Sequence, residues 1–109
     1  MIRKIILLTS IATIFSSYLS AGTINSAKIE YVQVNNIAGS SNVVVIKFDT
    51  PPTSPSCADD RMIASLDTSG GKALLSIALT AHASGKSVSV QGAGQCDGNL
   101  EVVSYMRVL

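Results

Sequence analysis

The sequence predicts a small β-rich α+β domain with the element order β-β-β-α-β-β. Three observations carry that expectation. Short runs rich in Val, Ile and Tyr alternate apolar with polar residues, the period of a half-buried strand. Only one stretch, Lys72–Ser84, repeats its apolar residues at helical spacing. Between these runs stand clusters of Pro, Gly, Ser and Asn that break regular structure.

The first strand is expected over Lys28–Val34, with a start as early as Thr23, on its β-formers Ile29, Tyr31, Val32 and Val34. Asn35–Asn42 follows as a turn, because Asn and Gly tolerate positive φ and Ser side chains bond nearby backbone. The second strand, Val43–Phe48, places Val44, Ile46 and Phe48 on one face and Val43, Val45 and Lys47 on the other. Valines on both faces imply a central strand covered on both sides. Pro51, Pro52 and Pro55 then exclude regular structure from Thr50 to Ser56. The third strand is expected over Met62–Leu66.

Thr68-Ser69-Gly70-Gly71 marks a helix start, with Thr68 or Ser69 as the cap. Leu74, Ile77, Ala78 and Ala81 form its apolar stripe, Leu75 and Leu79 widen it, and Gly85 supplies a left-handed stop. The fourth strand is expected over Ser87–Gln91, on the alternation of Val88 and Val90 with polar residues. Gly92–Asn99 reads as a long flexible turn, and Glu101–Val108 as the fifth strand.

One amphipathic helix cannot cover both faces of a flat five-stranded sheet. Rolling the sheet into a small barrel, with the helix plugging one end between strands 3 and 4, solves this. That element order is the order of the OB-fold, a five-stranded Greek-key barrel. The alternative is an open antiparallel sheet with the helix packed on one face.

The chain of 109 residues holds one domain. Its start has the three zones of a cleaved signal peptide, residues 1–21: Arg3 and Lys4, an apolar stretch through Phe15, and the small residues Ser20-Ala21-Gly22. The apolar stretch is too short for a spanning helix, for which about 20 residues are needed. Cleavage is expected after Ala21, with a cut after Gly22 nearly as good. It leaves residues 22–109 as a single OB-like domain, periplasmic or secreted, with six Lys and Arg against seven Asp and Glu. That balance argues against a nucleic-acid partner. No cationic amphipathic stretch suggests membrane docking after the signal is removed.

Cys57 and Cys96 are the only cysteines, and in an exported chain they allow one intramolecular disulfide. It would pin the proline-rich loop, which has little else to hold it. Two distant thiols and one His are too few soft ligands for a zinc site, and no Cys-x-x-Cys supports a redox site.

No motif predicts an enzyme, a cofactor or a metal. His82 has no nucleophile or orienting carboxylate in a recognisable pattern, and its place in the last helical turn favours the helix dipole when protonated. Ser69-Gly70-Gly71-Lys72 fails as a phosphate loop, because Leu66 stands where the opening Gly belongs and Ala73 follows the lysine. Asp59-Asp60-Arg61 lacks the alternating carboxylates of a calcium loop and reads as a solvated turn. Gly92-Ala93-Gly94 reads as a hairpin connection.

The stretch Gly71–Val90, an Ala- and Leu-rich helix followed by Ser84-Gly85-Lys86 and an alternating valine strand, resembles a group of small exported proteobacterial proteins. Cys57, Cys96 and the closing Tyr105-Met106-Arg107-Val108-Leu109 fit the same pattern. That group is similar in turn to the B subunits of subtilase-cytotoxin-like and pertussis-like AB toxins. The resemblance implies an OB-folded, non-enzymatic subunit of a homo-oligomer, a pentamer, that binds a cell-surface glycan or a secreted partner subunit. One cysteine pair, the lack of Trp and the short chain depart from the toxin subunits, and no ligand-binding residue carries over. The alternative is a structural or accessory periplasmic protein without a small ligand.

Overall fold

The computed structural model describes residues 21–36 and 42–109. The signal-peptide expectation thus lies outside the described residues, apart from Ala21. So do residues 37–41 of the expected Asn35–Asn42 turn.

Six strands and one helix form in the order β1 Thr23–Ala27, β2 Ile29–Asn35, β3 Val43–Phe48, β4 Met62–Ser65, α1 Ser69–Ser84, β5 Val88–Asp97 and β6 Leu100–Val108. They make one sheet with the strand order β1-β5-β6-β4-β3-β2. All neighbours are antiparallel except β4 with β6.

Two fold expectations need correction. The sheet has six strands and is open, not a closed five-stranded barrel: its end strands β1 and β2 do not pair with each other. The helix accordingly follows the fourth strand, not the third. Both differences have one cause. The expected first strand is two strands, broken at Lys28, with β1 on β5 and β2 on β3. Asp49 holds that break: its carboxylate accepts the Lys28 N–H at 2.9 Å, and its own N–H donates to the Lys28 carbonyl at 2.9 Å. Since one residue joins the two end strands, the sheet must curl. The parallel β4–β6 pair also departs from the alternative of an all-antiparallel sheet.

The core lies on the inner side of that curl. Val44, Ile46, Met62, Val88 and Val90 are fully buried there, each worth roughly 1.5–3 kcal/mol of transfer free energy. Helix α1 approaches closely because it presents the small residues Ala78 and Ala81, both buried. Leu74, Leu75 and Ile77 pack at the margins. Leu79 does not widen the stripe as expected; it is 48% exposed. It stands about 140° round the helix from Leu74 at 3.6 residues per turn, beyond the edge of the packed face. On the outer face Val45 lies opposite Ile63 and both are buried, so β3 is covered on both sides.

The helix ends are as expected. The Thr68 hydroxyl accepts the Gly71 N–H at 3.0 Å. Gly85 takes φ 66°, and Lys86 N–H donates to the Ala81 carbonyl at 3.0 Å. The larger correction concerns Gly92–Asn99. It is not a flexible turn: β5 runs through it to Asp97, with irregularities around Gly92 and before Cys96, and only Gly98-Asn99 connects it to β6. Gly98 has φ 62°, the first central position of a II′ hairpin.

Candidate functional site

Strand β6 has two unlike halves. Its first half carries Glu101, which is only 1% exposed. The two carboxylate oxygens accept the Gly22 N–H at 3.1 and 2.8 Å, and Oε1 also accepts the Ser56 N–H at 3.1 Å. Backbone donors thus stabilise a carboxylate taken out of water, which burial alone would penalise. The site is shaped for this group. A Cβ on Gly92 would fall inside the carboxylate, and one on Gly22 would lie 2.7 Å from Oε1. Gly92 N–H donates to the Gly22 carbonyl at 2.8 Å, so β1, β5, β6 and the proline-rich loop meet at one point.

The disulfide sits beside this node. Cys57 and Cys96 are bonded, with Cα atoms 5.8 Å apart, and Cys96 pairs in register with Glu101 across the hairpin. Such a bond suggests a non-reducing, extracytoplasmic environment. It is not the sole restraint on the proline-rich loop. Thr23 and Thr53 exchange backbone bonds at 3.1 and 2.8 Å, Asp59 N–H reaches the Asn99 carbonyl at 2.9 Å, and Pro52 is buried.

The other residues singled out in the sequence make contacts within the fold. His82 Nδ1 lies 2.9 Å from the Ile29 carbonyl, which assigns the proton to Nδ1 and ties the end of α1 to β2. Gly71 makes room for the Ser65 carbonyl, where a Cβ would intrude, while Lys72 points to solvent. The Asp59-Asp60-Arg61 turn is more structured than a solvated one. Arg61 donates Nε and Nη2 to Asp59 at 3.0 and 2.6 Å, and Lys47 reaches Asp60 at 2.7 Å. The side-chain bonds from Arg61, then its backbone N–H, hold Asp59 down at about 2; Asp59 in turn raises Arg61, and the bond to Asp60 raises Lys47. Among the described residues no three His, Cys, Asp or Glu side chains group as a metal site. No described helix is long and apolar enough to cross a membrane.

The second half of β6 borders a cleft of ≈ 490 Å³. It exists because β4 and β6 pair only at Met62 with Glu101 and Ile63 with Val102. Beyond Val102, β6 stays on β5 with an irregular register between Tyr105 and Val103, and β4 ends at Ser65. The start of α1 lies over the gap. Ala64, Leu74, Ile77, Val103 and Met106 make apolar walls, and Ser65, Thr68 and Ser104 supply hydroxyl groups. Tyr105 is 46% exposed at this cleft, with the Arg107 guanidinium 5.5 Å from its ring centroid.

Sequence reasoning missed both Glu101 and this cleft. Glu101 read as the first residue of a strand; the signal was an acidic residue in an inward register beside Gly92. Tyr105 read as one residue of an alternating face; the signal was an outward aromatic with a cation two residues on. No family model, curated protein or solved structure matches this chain.

Proposed function

We propose that this chain is a non-enzymatic binding subunit, and that its ligand is a glycan held at the cleft between α1 and β6. The carrying observation is Tyr105, an exposed aromatic held by Arg107 beside Ser104 in a cleft with apolar walls. An aromatic face stacks on the C–H face of a sugar ring while neighbouring hydroxyls bond its OH groups, so recognition needs little more than these groups.

A second reading has its own support. From Val103 to Val108, β6 has a strand neighbour on one side only, and an unpaired edge is a template for a strand from another copy. Assembly through that edge would give the pentamer that the toxin resemblance implies.

One pair of measurements separates these readings. On a glycan array, the domain binds a restricted set of sugars and Tyr105→Ala loses them, while its melting temperature stays unchanged. Absence of any bound glycan, together with a monomer mass in native mass spectrometry, overturns the proposal. A pentamer that binds no sugar favours the assembly role for the same edge.

A further inference from the structure

We infer that the chain is built to be cut between Ala21 and Gly22, and that the ammonium group so created on Gly22 is the counter-charge of buried Glu101. The inference goes beyond the export reading on which it rests, because it gives the new terminus a structural task that separates the two expected cuts.

Glu101 lacks a cationic side-chain partner among the described residues, where the ion pairs are Lys47 with Asp60 and Arg61 with Asp59. Yet both its oxygens face one nitrogen, that of Gly22, at 3.1 and 2.8 Å. In the uncut chain this nitrogen is an amide with a single hydrogen shared between two acceptors. Hydrolysis of the Ala21–Gly22 bond by an external signal peptidase adds one water. The oxygen goes to Ala21, whose carbonyl becomes a carboxylate on the released leader. The Gly22 nitrogen becomes an amine and takes up a proton at neutral pH. The resulting ammonium has three hydrogens, enough to give each Glu101 oxygen its own charge-assisted bond. A buried carboxylate that only amide dipoles served becomes half of an ion pair.

The surroundings favour this terminus over its neighbour. Gly22 is buried with its carbonyl bonded to Gly92 N–H, and a side chain at position 22 would press on Glu101 and on Pro52. Apart from Glu101, these neighbours of Gly22 carry no charge. A cut after Gly22 would instead start the chain at Thr23, whose nitrogen already donates to the Thr53 carbonyl, and would leave Glu101 without its principal donor.

The test begins with the full chain expressed in a bacterium with an export pathway. Intact mass and N-terminal sequencing of the processed protein should give Gly22 as the first residue. A first residue of Thr23 overturns this inference and leaves export standing, whereas an uncut chain overturns both. In the mature protein, an amine-acylating reagent at neutral pH should label Gly22 about tenfold more slowly than after unfolding, the factor that one unit of raised α-amino pKa produces. Glu101→Gln, which keeps the burial and removes the charge, should restore much of that rate; equal rates in the two proteins overturn the ion pair. Should Glu101→Gln not fold, an NMR titration of the Gly22 Cα in the unaltered mature protein decides. Its midpoint should lie above the ordinary α-amino range of about 7.7–8.0, and a midpoint within or below that range refutes the pairing.

Discussion

The two halves of β6 differ in almost every physical respect. At Glu101 the strand is paired on both sides, the side chain is buried, and the disulfide crosses beside it. From Val103 onward it has one strand neighbour, and Tyr105 and Val108 stand partly in water. The first half joins four segments of the chain; the second lines a cleft. One strand thus separates the restraint that holds the domain together from the cleft proposed as its binding surface. The open half can stay underpaired because the locked half fixes the strand's position.

The largest expected effect comes from breaking the locked half at its centre. Glu101→Leu should cost about 3–5 kcal/mol, since the Gly22 and Ser56 donors remain buried and lose their acceptor. Urea unfolding measures it, and a loss below about 1 kcal/mol would mean that the node is passive. Removing the disulfide by Cys57→Ala with Cys96→Ala should cost somewhat less, ~2–4 kcal/mol by the chain-entropy argument. The remaining bonds of the proline-rich loop, at Thr53, Ser56 and Asp59, should keep the native β5–β6 hairpin. Hydrogen exchange checks this: a hairpin that loses protection along with the disulfide would show that the covalent link is the primary restraint.

These two restraints were not equally legible. A single cysteine pair behind an expected export signal predicts a disulfide whatever the fold. A buried glutamate is visible only once its register is known, and the register depends on the irregularities around Gly92. The same local fact explains why Gly92–Asn99 reads as a turn: three glycines in seven positions lower strand propensity, but here the absent side chain admits a carboxylate. The helix, its caps and β3 were legible because their signals are local: a 3.6-residue period, Thr68, Gly85 and alternating valines. The break at Lys28 was not, because continuous β-formers on both sides hide a kink that Asp49 fixes from 21 residues away. The cleft was invisible for a related reason, since it arises where two strands distant in sequence stop pairing.

A smaller effect should appear in acid. Arg61 holds the Asp59 carboxyl at about 2 in the folded domain, against 3.8 ordinarily. A depressed folded value means that the contribution is complete above the unfolded value and is lost as pH falls from about 4 towards 2. The pair is partly exposed, so solvent screens it and the change is modest. Melting temperatures measured across that window should fall less steeply for Asp59→Asn than for the unaltered protein. Parallel curves would remove Asp59 from the acid response of the locked end.

The smallest effect on stability should come from the open half, and it is the sharpest test of the contrast. Ser104 is exposed where β6 departs from regular pairing with β5, and no strand lies opposite it on the cleft side. Ser104→Lys adds length and charge but breaks no side-chain hydrogen bond among the described residues. It should therefore change stability by no more than about 0.5 kcal/mol, as surface substitutions usually do. Its effect on binding should be large by comparison, because the new ammonium group stands beside Tyr105 and within reach of whatever fills the cleft. A stability loss above about 1 kcal/mol would put Ser104 in the restrained part of the strand, and the division between a holding half and an acting half would then have to move toward the C-terminus. Unchanged stability with unchanged glycan binding would instead place the ligand elsewhere and leave the cleft as an assembly edge.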